Sequence, residues 1–174
     1  MGGIDTGTQR GGSARRRELL DAAYAYVLEH GLADVSLRPL AAAVGSSPRV
    51  LLFLFGSKDG LVRALLARAR DDELAALAGA GGAADAVWAW LVAPEHRALL
   101  RLWVEAYARS LVDPDGPWAG FAERTVADWL DVLAPAGDDA DRTLLLAVLR
   151  GALLDLLATG DAERTTAAVE RFLS

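Results

Sequence analysis

Arg49 is the one long polar side chain in the run Pro48-Arg49-Val50-Leu51-Leu52-Phe53-Leu54-Phe55. Its planar fork of N–H donors fits the O6 and N7 acceptors that guanine presents in the DNA major groove. Just before it, Ser46 and Ser47 carry hydroxyls that can donate to a phosphate or a base edge, and Val50 can meet a thymine methyl. Lys58 opens the next segment, where free backbone N–H groups and an ammonium together suit a phosphate. Arg15, Arg16, Arg17 and Arg38 are further cations for a phosphate backbone. Each also has a plainer reading: surface solvation for the arginines, and helix capping for Ser47 and Ser57, which is the main task expected of those two.

The elements that must hold these groups can be read between residues 36 and 61. Ser36 suits an N-cap, and Leu37, Leu40, Ala41 and Val44 then recur on one helical face. Pro39 falls in the first turn, where backbone N–H groups have no intrahelical acceptor. Gly45 stands where a helix commonly stops by turning left-handed. Ser47 caps a second short helix with Pro48 at its first position. In that helix Leu51, Leu54 and Phe55 are placed to face inward, leaving Arg49, Val50, Leu52 and Phe53 to face out. Ser57 caps a third helix with Leu61, Val62, Leu65, Leu66 and Ala69 on its apolar face. Two short helices around a Gly turn are the layout of a helix-turn-helix, whose second helix can enter a major groove.

The formal charge of −6 is unevenly spread: residues 1–70 carry 10 Lys or Arg against 6 Asp or Glu, and residues 71–174 carry 8 against 18. Positive charge therefore gathers where a phosphate backbone would lie, with an acidic remainder held away from it. The absence of cysteine excludes disulfides, thiolate metal sites and thiol nucleophiles. His30 and His96 have no metal-ligand spacing around them, and neither H-E-x-x-H nor G-x-S-x-G occurs. The carboxylates stand mainly at helix starts or on polar faces, where capping and solubility account for them, so no enzyme and no cofactor are expected. Residues 1–13 have no apolar run and read as a disordered arm rather than a signal peptide. No window reaches the apolar length of a bilayer span, so the expectation is a cytoplasmic chain without membrane contact.

The segments L-D-A-A, H-G, S-L-R-P-L-A, V-G-S-S and F-G-S-K, with A-R-R-R-E-L-L-D-A-A-Y-A-Y-V-L-E-H-G, make the chain from Ala14 to Leu65 resemble the DNA-binding domain of the TetR family of bacterial repressors. The remainder is similar to that family only in length and helical layout. The resemblance implies a DNA-binding domain over residues 14–60 and an effector-binding and dimerisation domain over residues 61–174. It also implies a homodimer on a palindromic double-stranded operator, released by a small-molecule effector. One departure bears on the DNA contact. The family usually carries one or more Tyr, often beside His, where this chain reads Leu51-Leu52-Phe53-Leu54-Phe55. A phenol there would bond to phosphate; Phe53 cannot, and with Leu52 it can instead pack on a sugar or thymine face, or into an extended core. A helical dimer that senses a ligand or a protein partner without specific DNA binding therefore stays open as the alternative.

Beyond the basic part, helices are expected at about 57–78, 84–92, 95–112, 141–159 and 161–173, with another carrying the stripe Trp118, Phe121, Thr125, Val126, Trp129 and Leu133. No run alternates with period two, so the expectation is an all-α fold of about nine helices. In the 95–112 helix, Leu99, Leu100, Trp103, Val104, Tyr107 and Leu111 form the apolar stripe. Trp88, Trp103, Tyr107, Phe121 and Trp129 supply an aromatic interior suited to a small apolar or aromatic effector, with His96, Arg101, Glu105 and Arg109 as available polar groups. The plainer reading of each aromatic is simple core. From Asp141 to Thr159 the chain is apolar on nearly every side, interrupted mainly by Arg150 and Asp155. Such a helix must be covered from several directions, and Gly151 admits a close neighbour. It is expected to pair, with the final helix, against the same helices of a second subunit through Leu145, Val148, Leu149, Ala152, Leu156, Val169 and Phe172. A centrally buried core helix is the alternative.

Overall fold

The computed structural model describes residues 6–32, 35–79 and 81–174, and every regular element among them is helical. The N-terminal unit is α1 (Thr6–His30), α2 (Leu37–Ala43) and α3 (Pro48–Phe55). From it α4 (Lys58–Ala78) leads to α5 (Ala84–Val92), α6 (Arg97–Val112), α7 (Phe121–Val132), α8 (Asp139–Thr159) and α9 (Ala162–Leu173). Among the described residues the all-α architecture and the nine α-helices agree with expectation.

The expected arm over residues 1–13 needs correction, because α1 begins at Thr6; residues 1–5 lie outside the described residues. Leu19 and Ala23 anchor α1 in the core at 1% exposure or less. Once those turns are fixed, each further residue adds a hydrogen bond while fixing only its own dihedrals, so the helix propagates back through Gly11 and Gly12.

The turn between α2 and α3 follows from local chemistry. Gly45 takes φ +60°, the Ser46 N–H donates to the Ala41 carbonyl at 2.8 Å, and the Gly45 N–H donates to that of Ala42 at 3.2 Å. Those are the two bonds of a Schellman stop. Ser47 Oγ accepts from the Val50 N–H at 3.3 Å and Ser57 Oγ from the Gly60 N–H at 2.9 Å, so both serines cap as expected. Ser36 occupies the N-cap of α2 in an extended conformation, but its side chain makes no capping bond. At the α3–α4 corner a Cβ on residue 60 would come within 2.1 Å of the Phe55 carbonyl oxygen, which demands Gly60.

Leu40, Leu51, Leu61 and Leu65 are at most 1% exposed and lock α2, α3 and α4 together. Burying each contributes roughly 1.5–3 kcal/mol. α4 is the shared element, packed against α1 and α3 and also against α6 and α7. Arg68 binds Asp21 of α1 at 3.3 Å and also Asp72, while Glu105 of α6 accepts the Leu32 N–H at 3.1 Å. These bonds tie α4 and α6 to the N-terminal unit.

In the C-terminal half, α8 packs on α5, α7 and α9. The buried face of α6 is Leu100, Leu102, Trp103, Ala106 and Ser110, whereas Leu111, expected on the stripe, is 65% exposed. α6 is covered by α1 and α4 as well as α7, which turns its buried face toward Leu102 and Ala106.

Candidate nucleic-acid interface and effector cavity

α3 divides as its sequence anticipates. Leu51 and Phe55 are buried, Leu54 is half-buried, and Arg49, Val50, Leu52 and Phe53 face outward, Phe53 at 85% exposure. Ser46 is half-buried at the turn and Ser47 is exposed, with its hydroxyl engaged as a cap. The flanking cations, equivalent in the sequence, are not equivalent in space. Arg15 pairs with Glu18 at 2.8 Å. Arg16 donates from Nε to the Leu54 carbonyl at 3.2 Å, with its guanidinium 4.9 Å from the Phe55 ring centroid. It therefore fastens α1 to the last turn of α3, satisfying a carbonyl that the helix end leaves free. Arg17, Arg38, Arg49 and Lys58 are exposed and hold no carboxylate among the described residues.

The residues expected to line an effector site are only partly brought together. Two small cavities, each of about 10 Å³, are both lined by Trp103. Trp129, Leu149 and Arg150 face the first, and Phe121, Glu73 and Leu99 the second. Tyr107 stacks obliquely on Trp103 at 5.2 Å. Trp88 lies apart, donating from Nε1 to Thr166 Oγ1 at 3.1 Å where α5 meets α9. His96 is also apart, stacked on Trp90 at 4.5 Å with Nδ1 2.8 Å from the Trp90 carbonyl oxygen. Spacing along a helix does not reveal which neighbouring helix each ring meets, so neither the separation of Trp88 from the other aromatics nor that of His96 from the cavity is legible in the sequence.

Two polar groups dominate this interior. Glu73 is only 3% exposed, and its Oε1 accepts from Trp129 Nε1–H at 3.0 Å. Burial pushes its carboxyl up to about 7, against the opposing pull of the Trp129 hydrogen bond. Sequence reasoning missed it, although its signal was available: Glu73 stands four residues after Ala69 and four before Leu77, on the buried stripe of α4. Arg150 donates from Nη1 to Tyr107 Oη at 3.3 Å, and its guanidinium lies 5.0 Å from the Tyr107 centroid and 5.5 Å from that of Trp103. Burial lowers its pKa.

The outer face of α8 is not the one expected. Leu145, Leu149, Leu156 and Val169 are buried within their own chain, and Val148 and Ala152 are half-buried. The solvent stripe is instead Leu144, Ala147, Gly151, Leu154 and Ala158, with Leu144 at 56% and Leu154 at 46% exposure. A helix apolar all round carries no moment to say which side its own chain covers. Arg164 of α9 reaches Asp155 with bonds of 2.6 and 2.7 Å, so the α9 side bearing Arg164, Ala168 and the 42% exposed Phe172 adjoins this stripe.

Residues 19–65 match the family model for bacterial regulatory proteins of the tetR family, covering the segment from α1 to the second turn of α4. A relative, the HTH-type transcriptional repressor Rv1474c of Mycobacterium tuberculosis, is 34% identical over 113 residues, which cover 65% of this chain and 59% of that protein. Over residues 19–65 the chain carries the TetR-family domain. A second relative, the HTH-type transcriptional regulator BetI of Rhizobium meliloti, is 30% identical over 150 residues, covering 84% of this chain and 64% of that protein. The chain thus spans about three fifths of the length of these two curated relatives. Both are named as transcriptional regulators. The crystal structure of the multidrug-binding protein EbrR complexed with proflavin superposes with a TM-score of 0.68 at 26% identity, over 90% of this chain and 98% of that one. EbrR complexed with imidazole gives a TM-score of 0.71 at 24% identity, over 91% and 89% of the two chains, and shows the same fold. No helix among the described residues is long and apolar enough to cross a membrane.

Proposed function

We propose that this chain is a ligand-responsive transcriptional repressor of the TetR family that binds a palindromic operator as a homodimer and is released by a small apolar or aromatic effector. The observation that carries this reading is the outer face of α3: Arg49, Val50, Leu52 and Phe53 project freely, flanked by Arg17, Arg38 and Lys58, which hold no carboxylate among the described residues. That combination fits duplex DNA, with Arg49 on a guanine edge, Val50 and Phe53 on thymine methyls or sugars, and the cations on phosphates. The α3 hydroxyl-to-phosphate bond that a Tyr would supply is replaced by the apolar surface of Phe53.

One such unit makes few contacts, so two are needed for tight and selective binding. The stripe of Leu144, Gly151 and Leu154 with Phe172 of α9 is suited to a second copy of the same face, and Gly151 has nothing within 4 Å of an added Cβ, leaving room for a partner helix. On this reading residues 14–60 form the DNA-binding unit and residues 61–174 the effector and dimer unit, in a cytoplasmic protein. Effector entering between α4, α6, α7 and α8 displaces α4, which is continuous with the DNA-binding unit through Ser57. The spacing of the two recognition helices then changes, and the conformation that fits DNA becomes less populated. The repressor name of Rv1474c and the proflavin complex of EbrR support this reading. Selection of bound fragments from genomic and random DNA tests it. Recovery of a shared palindromic sequence is expected, and enrichment of none would favour the helical sensor that meets a ligand or protein instead.

A further inference from the structure

In the C-terminal half the half-buried Arg150 of α8 forms no ion pair with a carboxylate among the described residues. Arg150 lines a cavity walled by Leu91, Trp103, Trp129, Leu149 and Leu153. Its single hydrogen bond is the 3.3 Å contact to Tyr107, and its Nη2, sealed from solvent, has no partner among the described residues. A guanidinium taken out of water normally finds an anion or several acceptors, because its desolvation is otherwise uncompensated. Glu73 acts on it across the core but forms no ion pair with it, and its Oε1 is engaged by Trp129. Trp103 Nε1–H, on the same cavity wall, is buried and also lacks an acceptor.

Two orphaned donors on residues that line one apolar cavity call for an acceptor that carries charge. A single guanidinium among leucines and tryptophans balances a single negative charge; a dianion such as a phosphate monoester would need more donors than the cavity offers. The rest of the lining asks for a flat hydrocarbon. Trp103 borders both 10 Å³ cavities, the second of which is also lined by Phe121 and Leu99, so a ligand larger than a water needs the Trp103 ring to move aside. We propose that the effector is a flat, apolar monocarboxylate whose anion is received by Arg150 Nη2, with Trp103 Nε1 as the second donor. The proposal rests on the ligand-responsive reading above and names the chemistry of its ligand.

The test titrates the full chain by calorimetry with indole-3-acetate, its neutral analogue indole-3-acetamide, and the cation proflavin, and follows displacement of the selected DNA in parallel. The acid is expected to bind wild type about 10- to 100-fold more tightly than the amide, the worth of a hydrogen bond to a charged group. Arg150→Gln is expected to abolish that preference and Arg150→Lys to keep part of it. Without ligand, Arg150→Met is expected to melt at the same or a higher temperature than wild type, because it removes an uncompensated buried charge. An amide or proflavin that binds as tightly as the acid, no binding of the acid at millimolar concentration, an unchanged preference in Arg150→Gln, or a marked fall in melting temperature in Arg150→Met would each overturn the proposal. If proflavin releases DNA and the acid does not bind, the regulatory reading stands while this one falls. If the acid binds through Arg150 without releasing DNA, the site stands and the regulatory reading falls.

Discussion

Replacing Glu73 by Gln removes a proton-binding group from the core while keeping an acceptor for Trp129 Nε1–H. In the native protein the carboxyl is 3% exposed and is pushed from 4.5 up to about 7, burial being the largest cause. A raised native pKa means that the folded state holds the proton more tightly than the unfolded chain does. The stability associated with the neutral carboxyl is therefore intact below pH 4.5 and lost as pH climbs through about 7. At roughly 1.4 kcal/mol per pH unit, the full loss on the alkaline side is about 3 kcal/mol. Gln has no charge to desolvate, so Glu73→Gln is expected to be more stable than wild type by up to about 3 kcal/mol near pH 8, the gap closing as pH falls toward the ordinary carboxylate range. Urea unfolding at one fixed protein concentration and a series of pH values measures the gap without confusing it with dimer dissociation. A pH-independent difference, or a Gln variant less stable than wild type on the alkaline side, would refute the reasoning.

Arg49→Ala is expected to lose about 1–3 kcal/mol of discrimination at one base pair of each half-site, read by competition between the selected operator and a variant changed at that pair. Arg16→Ala breaks the tie between α1 and the Leu54 carbonyl, so unfolding should become easier by about 1 kcal/mol while the salt dependence of DNA binding stays as in wild type. Leu154→Glu places a charge on the 46% exposed position of the α8 outer stripe, and sedimentation is expected to show dissociated subunits that still melt cooperatively. Leu145, buried in its own chain, would instead unfold the subunit when given a charge, which separates the two roles.

Where local chemistry decides the structure, the sequence suffices. Ser47, Pro48 and Ser57 start helices, Gly45 stops one, and α5 runs from Ala84 to Val92 between a Gly-rich linker and Ala93-Pro94, all as read from residue types. Where long-range packing decides, it does not. Arg16 and Leu54 are 38 residues apart, and nothing near Arg16 distinguishes it from Arg15 or Arg17. α8 is apolar on all sides, so its inward face, Leu145 and Leu149 rather than Leu144 and Gly151, is settled only by where α5, α7 and α9 sit. The separation of Trp88 and His96 from Trp103 has the same origin, since rings on different helices share no periodicity. Glu73 escaped notice because a carboxylate on an apolar stripe reads as an interruption until the Trp129 donor opposite it is seen.

For this chain to bind DNA, α3 must meet a phosphate-lined groove despite a net charge of −6. The affinity of the dimer for its selected operator, measured by fluorescence anisotropy across a range of salt concentrations, tests this directly. With Arg17, Arg38 and Lys58 of both subunits on phosphates, roughly six contacts, log K is expected to fall with log salt at a slope of about −5. A flat dependence, or equal affinity for operator and unrelated duplex at every salt concentration, would contradict it.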